Sequence, residues 1–152
     1  MHIGDQAPNF ELTDENGVNR NLQELLADGP VVLYFYPAAM TPGCTAEGCH
    51  FRDLQAEFSA LGARRVGVSA DDVTKQKQFA EKYNFDFPLL SDVDRRVAEA
   101  YGVRRSFGPL PTKRATFVIG ADGRILDIIK SEVRMSIHAD RALKTLTTAA
   151  PG

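Results

Sequence analysis

The sequence predicts an α/β fold: a mixed central sheet flanked by helices, entered through an N-terminal β-hairpin, in one domain over residues 1–152. Three observations predict it. The near-continuous apolar, β-rich run "VVLYFY" (31–36) reads as a central strand buried on both faces, and "RRVGVSA" (64–70) as a second buried strand. Segments with helical spacing of apolar residues separate and follow them, and such alternation builds a parallel core with helices on both sides. The chain has 152 residues, 43% apolar and 25% charged, which suits one core that needs no covalent staples.

The elements follow in order. In "NFELTDENGVNRNL" (9–22), Phe10 and Leu12 alternate with polar residues around Asn16-Gly17, a tight-turn pair, so this is a hairpin. "NLQELLA" (21–27) is a short helix stopped by Asp28-Gly29-Pro30. The strand 31–36 comes next. From Pro42 to about Leu61 the spacing of Phe51, Leu54, Phe58 and Leu61 predicts one helix with an apolar stripe. After the strand 64–70, residues 72–84 form a helix begun by Asp71 or Asp72 as its cap. "FPLLSD" (87–92) is a short extended piece, and 94–103 a helix that Gly102 ends. "ATFVIG" (115–120) and "ILDIIK" (125–130) are strands joined through Ala121-Asp122-Gly123-Arg124, and a last helix runs from about Ser136 to Thr147. This β-α-β then β-β-α order is the layout of a thioredoxin-like sheet with extra N-terminal elements. It places the end of strand 31–36 at the carboxyl edge, where open α/β sheets carry their active sites.

Composition excludes several classes. The net charge of -2 is spread over interspersed signs, so there is no basic field for nucleic acid and no polybasic membrane anchor. The N-terminus has the shape of no signal peptide, and no apolar run approaches the roughly 20 residues of a membrane helix. The expected compartment is the cytosol, where thiols stay reduced and two cysteines point to catalysis, redox sensing or metal binding rather than a permanent disulfide.

Those cysteines, Cys44 and Cys49, stand in "YFYPAAMTPGCTAEGCHFRD" (34–53). Proline is favoured at the first helical position, so Thr41 is the cap, Pro42 the first helical residue, and Cys44 lies in the first turn. Unpaired N–H groups and the helix dipole favour an anion there, which makes Cys44 a plausible thiolate. The Thr41 hydroxyl is placed to cap the first turn or to face a substrate. Cys49 is five residues on. In a regular helix that separates the Cα atoms by roughly 8–9 Å, on different faces, whereas a disulfide needs about 4.4–6.8 Å. A reaction between them requires the first turns to unwind, and Gly48, about 1 kcal/mol worse than Ala in a helix, eases this. Against this stand two blander readings, a pair of small buried hydrophobes and a zinc site. The second lacks ligand spacing at His2, His50 and His138.

The same residues resemble the peroxiredoxin signature Pro-x-x-x-Thr-x-x-Cys, and the second cysteine five residues later is similar to that of the peroxiredoxin Q, or bacterioferritin comigratory protein, subfamily. The likeness extends over "GDQAPNFELTDENG", "FPLLSD" and "RATFVIGADGRI". The resemblance implies a thiol peroxidase that reduces hydrogen peroxide and alkyl hydroperoxides. Cys44 is then the peroxidatic cysteine, oxidised to sulfenic acid. Thr41 orients peroxide and thiolate, Pro37 shields the site, and Arg114 supplies the guanidinium beside the sulfur. Cys49 is the resolving cysteine of an intramolecular disulfide, recycled by thioredoxin or a similar dithiol. The resemblance implies no metal, haem or flavin cofactor, and a monomer.

A peroxide-responsive regulator acting on a protein partner is the alternative reading, because the same unwinding helix is a bistable element. A thioredoxin-type dithiol oxidoreductase lacks its Cys-x-x-Cys. Departures from the family pattern are Ala38-Ala39-Met40, Gly120 and the loop 104–114, whose Arg and Lys residues either touch a reductant or form a solvated surface. Glu47 either pairs with an arginine or complements the helix start, Arg52 and Asp53 read as a surface pair, and His50 is expected to be exposed.

Overall fold

A computed structural model of the chain describes residues 1–149. Seven strands form one sheet in the order β2-β1-β5-β4-β3-β6-β7. They are β1 (Glu11–Thr13), β2 (Asn19–Asn21), β3 (Val31–Phe35), β4 (Arg64–Ser69), β5 (Leu89–Ser91), β6 (Ala115–Ile119) and β7 (Ile125–Lys130). The helices are α1 (Leu22–Leu25, continued by a 3-10 turn), α2 (Pro42–Asp53), α3 (Gln55–Ala60), α4 (Val73–Tyr83), α5 (Arg96–Ala100) and α6 (Ser136–Ala149). β3, β4 and β5 run parallel, β6 and β7 extend the sheet antiparallel, and the N-terminal hairpin joins through Thr13 opposite Ser91. The sheet is the mixed one the sequence predicts.

The alternation of β3 divides the core. Val31, Leu33 and Phe35 face one side with Phe10, Leu25, Tyr101 and Phe117. Val32, Tyr34 and Tyr36 face the other with Phe51, Phe58, Phe79 and Leu146. Burying one such side chain contributes roughly 1.5–3 kcal/mol, against about 0–1 for an exposed ion pair. The strand that leads into the cysteine segment is therefore firmly held, every residue of it buried. Helices α2, α3, α4 and α6 cover this second face.

The expected single helix 42–61 is two helices. It breaks at Leu54, where φ is -96° and ψ 20°. The carbonyl of Phe51, which a continuous helix would offer to the N–H of Gln55, instead accepts from Arg65 Nη1 at 2.8 Å. That arginine is buried and paired with Asp86 at 2.6 Å, a tertiary partner invisible in the local spacing. No described helix is long and apolar enough to cross a membrane.

Candidate active site

The site starts where β3 ends. Tyr36 N–H bonds Val68 O at 3.0 Å, Pro37 is buried, and the chain turns through Ala38, Ala39 and Met40 before Pro42 opens α2. Thr41 is the cap residue by backbone, with φ -81° and ψ 153°, but its hydroxyl caps nothing. It donates to the Ala38 carbonyl at 2.7 Å instead. This corrects the capping option and leaves the hydroxyl oxygen's lone pairs available. The first-turn N–H groups have no intrahelical acceptor, and Cys44, 1% exposed, lies among them.

Arg114 reaches Cys44 from 70 residues away, its Nη2 donating to Sγ at 3.3 Å. Sheet register explains the meeting. β6 runs antiparallel to β3 with Ala115 opposite Phe35, so the residue just before β6 lies at the carboxyl end of β3. The other arm of the fork, Nη1, donates to Glu47 Oε1 at 2.7 Å. Glu47 is therefore a partner of Arg114, three residues past Cys44 and fully buried. Burial pushes its carboxyl up to about 8, with Arg114 pulling the other way. Burial also opposes the charge of Arg114, but the neighbouring Glu47 and Cys44 outweigh it and leave its pKa above the ordinary value.

A further layer holds the arginine. Its backbone N–H donates to Glu132 Oε1 at 2.9 Å, and Glu132 also takes Arg105 at 2.9 Å. Arg105 belongs to the loop 104–114, so one of its cations supports the site, while Phe107 at its tip is 89% exposed. His138, fully buried, has Nε2 2.9 Å from the Ser131 carbonyl, which only accepts, so Nε2 carries the proton. Its Nδ1 then accepts from the Thr116 hydroxyl at 2.7 Å and lies 3.7 Å from Glu47 Oε2. Burial lowers the pKa of His138. The sequence alone did not single out Glu132, Thr116 and His138 for the site. Thr116 alone carried a usable signal, since it shares a face of β6 with Arg114.

Cys49 lies five residues further along the intact helix, half-buried, and both thiols are free. His50 beside it is partly buried rather than exposed, its Nε2 2.7 Å from Asp140 Oδ1 on α6. The pair Arg52–Asp53 exists at 3.0 Å, and Arg52 also donates to Tyr83 O at 2.7 Å, tying α2 to the end of α4. Among the described residues no three His, Cys, Asp or Glu side chains gather as metal ligands.

A buried cysteine at a helix start, under a guanidinium, at the carboxyl end of a thioredoxin-like sheet defines a thiol redox site. Comparison with known proteins gives the family. The AhpC/TSA family profile matches residues 3–128. The crystal structure of peroxidoxin BcpB from Mycobacterium tuberculosis superposes with a TM-score of 0.95 at 56% identity, over 99% of both chains. Peroxiredoxin Bcp of Bacillus subtilis is 39% identical over 96% of this chain and 95% of its own. A structure of the Xanthomonas campestris bacterioferritin comigratory protein, described for its alkyl peroxide reduction activity, superposes at TM-score 0.85 and 34% identity, covering 93% and 92%. The chain belongs to the AhpC/TSA family of peroxiredoxins, with relatives named peroxiredoxin Q and Bcp.

Proposed function

We propose that this peroxiredoxin reduces hydrogen peroxide and alkyl hydroperoxides through Cys44, resolves the product with Cys49 as an intramolecular disulfide, and is recycled by thioredoxin or a similar dithiol in the cytosol. The observation that carries the reading is the 3.3 Å contact of Arg114 Nη2 with a buried sulfur at the start of α2. The sulfur of Cys44 attacks the terminal oxygen of the hydroperoxide. The O–O bond breaks, the sulfur becomes a sulfenic acid, and the leaving oxygen takes a proton to give water or an alcohol. Arg114 stabilises the charge that develops on that oxygen. The Thr41 hydroxyl, its proton committed to Ala38, accepts from the O–H of the peroxide. Pro37, buried just past β3, shields the site.

Resolution requires unwinding. Oxidation adds an oxygen to Cys44 Sγ, a sulfur 1% exposed and 3.3 Å from Arg114 Nη2, so the wound helix must take a larger group at a packed position. The wound state is thus weakened at the moment Cys49 must approach. The Cys49 sulfur, giving up its proton, attacks the sulfenic sulfur; an S–S bond forms, the S–O bond breaks, and the oxygen leaves with that proton as water. A dithiol then exchanges through a mixed disulfide. The relative from Xanthomonas campestris described for alkyl peroxide reduction supports the substrate class. The test is NADPH consumption with thioredoxin, its reductase and peroxide. Turnover is expected for the wild type and none for Cys44→Ser, and a Cys44→Ser enzyme with wild-type turnover would overturn the assignment.

A further inference from the structure

A second chain of hydrogen bonds ends on the active-site loop, through a residue outside the site described above. Asp71 Oδ2 accepts from Ala39 N–H at 2.7 Å and from the Ser69 hydroxyl at 2.7 Å. The Ser69 oxygen in turn accepts from Gln76 Nε2 at 2.9 Å, and Gln76 Oε1 accepts from the Tyr36 hydroxyl. Tyr36 and Gln76 are fully buried. The chain therefore joins β3, β4 and α4 to the backbone at Ala39.

That backbone does not hold its own shape. Met40 has φ 70°, in the left-handed region that side chains with a Cβ avoid. Ala39 N–H and Ala38 C=O belong to one peptide unit. Asp71 takes its N–H end, and the Thr41 hydroxyl donates to its C=O end at 2.7 Å. The orientation of this peptide plane thus fixes where the Thr41 oxygen presents its lone pairs. We propose that Asp71 is a positioning residue for the peroxide reaction, holding the Ala38–Ala39 peptide so that Thr41 faces the substrate of Cys44. The proposal rests on the reading that Cys44 and Thr41 act on peroxide.

The neighbouring Asp72 provides the control. It caps α4, accepting from Lys75 N–H at 2.8 Å, and touches nothing in the loop. The experiment mixes reduced protein with peroxide in quenched flow, alkylates the remaining thiols and follows oxidation of Cys44 by mass spectrometry. Asp71→Ala should slow this step about tenfold or more, the usual scale for a misplaced orienting group. Asp72→Ala, despite its lost cap, should keep the wild-type rate. Asp71→Asn keeps an oxygen for Ala39 N–H and should recover most of the loss. In a Thr41→Val background the Asp71→Ala effect should vanish, because Asp71 acts through the hydroxyl. Equal rates for Asp71→Ala and Asp72→Ala would overturn the proposal, as would an undiminished Asp71 effect without the Thr41 hydroxyl. If Asp71→Ala does not fold, the Asp71→Asn pair with and without Thr41→Val carries the test, with a loss of about twofold or more expected only when Thr41 is present. A wild-type protein whose Cys44 is not oxidised at all would instead contradict the function itself.

Discussion

Gly48→Ala sets two effects of known size against each other. By helix propensity alone, alanine in the middle of α2 stabilises by about 1 kcal/mol. Packing says otherwise. A Cβ on Gly48 would meet Phe85 Cζ at 2.6 Å and two further ring atoms at 3.1 and 3.2 Å. The ring is braced by Phe79, Phe87 and Tyr83, with centroids at 5.0, 5.2 and 6.0 Å. Overpacking of this kind costs about 1–3 kcal/mol. The packing cost wins, and Gly48→Ala should destabilise the reduced protein by about 1 kcal/mol. Urea unfolding followed by far-UV circular dichroism, under reducing conditions, reads it as a lowered midpoint at unchanged slope. In a Phe85→Ala background the clash is gone, and the same substitution should stabilise by about 1 kcal/mol. Stabilisation in the wild-type background, or the same sign in both, would refute the reasoning. Gly48 is then present because a ring lies on the helix, and not only because unwinding must be easy.

Two other predictions concern the arginine pair. Arg114→Lys keeps a positive charge but loses the fork that serves sulfur and carboxyl together, so oxidation of Cys44 should slow about a hundredfold; a wild-type rate in quenched flow would remove Arg114 from the chemistry. Glu47 holds its proton more tightly folded than unfolded, its pKa rising from 4.5 to about 8. Its contribution to stability is therefore complete below about pH 4.5 and lost as pH climbs to about 8. Relative to Glu47→Gln, which shares His138 and every other group, the reduced wild type should lose up to about 1.4 kcal/mol per pH unit across that window. Urea midpoints of both proteins at pH 5 and pH 8 measure it, and a constant difference would contradict the buried protonated carboxyl.

Much of this fold was legible because its signals are local. The strand 31–36 announces itself by six apolar residues, and Pro42 marks the helix start, so the position of Cys44 followed from spacing alone. The nearness of Arg114 came from family resemblance, and the register of β6 against β3 supplies its physical reason. What stayed hidden depends on partners far along the chain. Arg65 captures the Phe51 carbonyl and breaks the long helix, Asp140 takes His50, and Asp71 holds Ala39, each across more than ten residues. Thr41 shows the limit at closest range. Its place as cap residue was readable, but the direction of its hydroxyl depends on a peptide held by Asp71.

The central claim is that the cycle contains an unfolding step: attack while α2 is wound, resolution while it is not. Hydrogen exchange by mass spectrometry, before and after one equivalent of peroxide without reductant, tests it most directly. The account predicts a disulfide between Cys44 and Cys49 of one chain, with protection lost over residues 43–50 and retained in β3. A protected α2 after oxidation, with Cys44 still a sulfenic acid or bonded to a second chain, would contradict it.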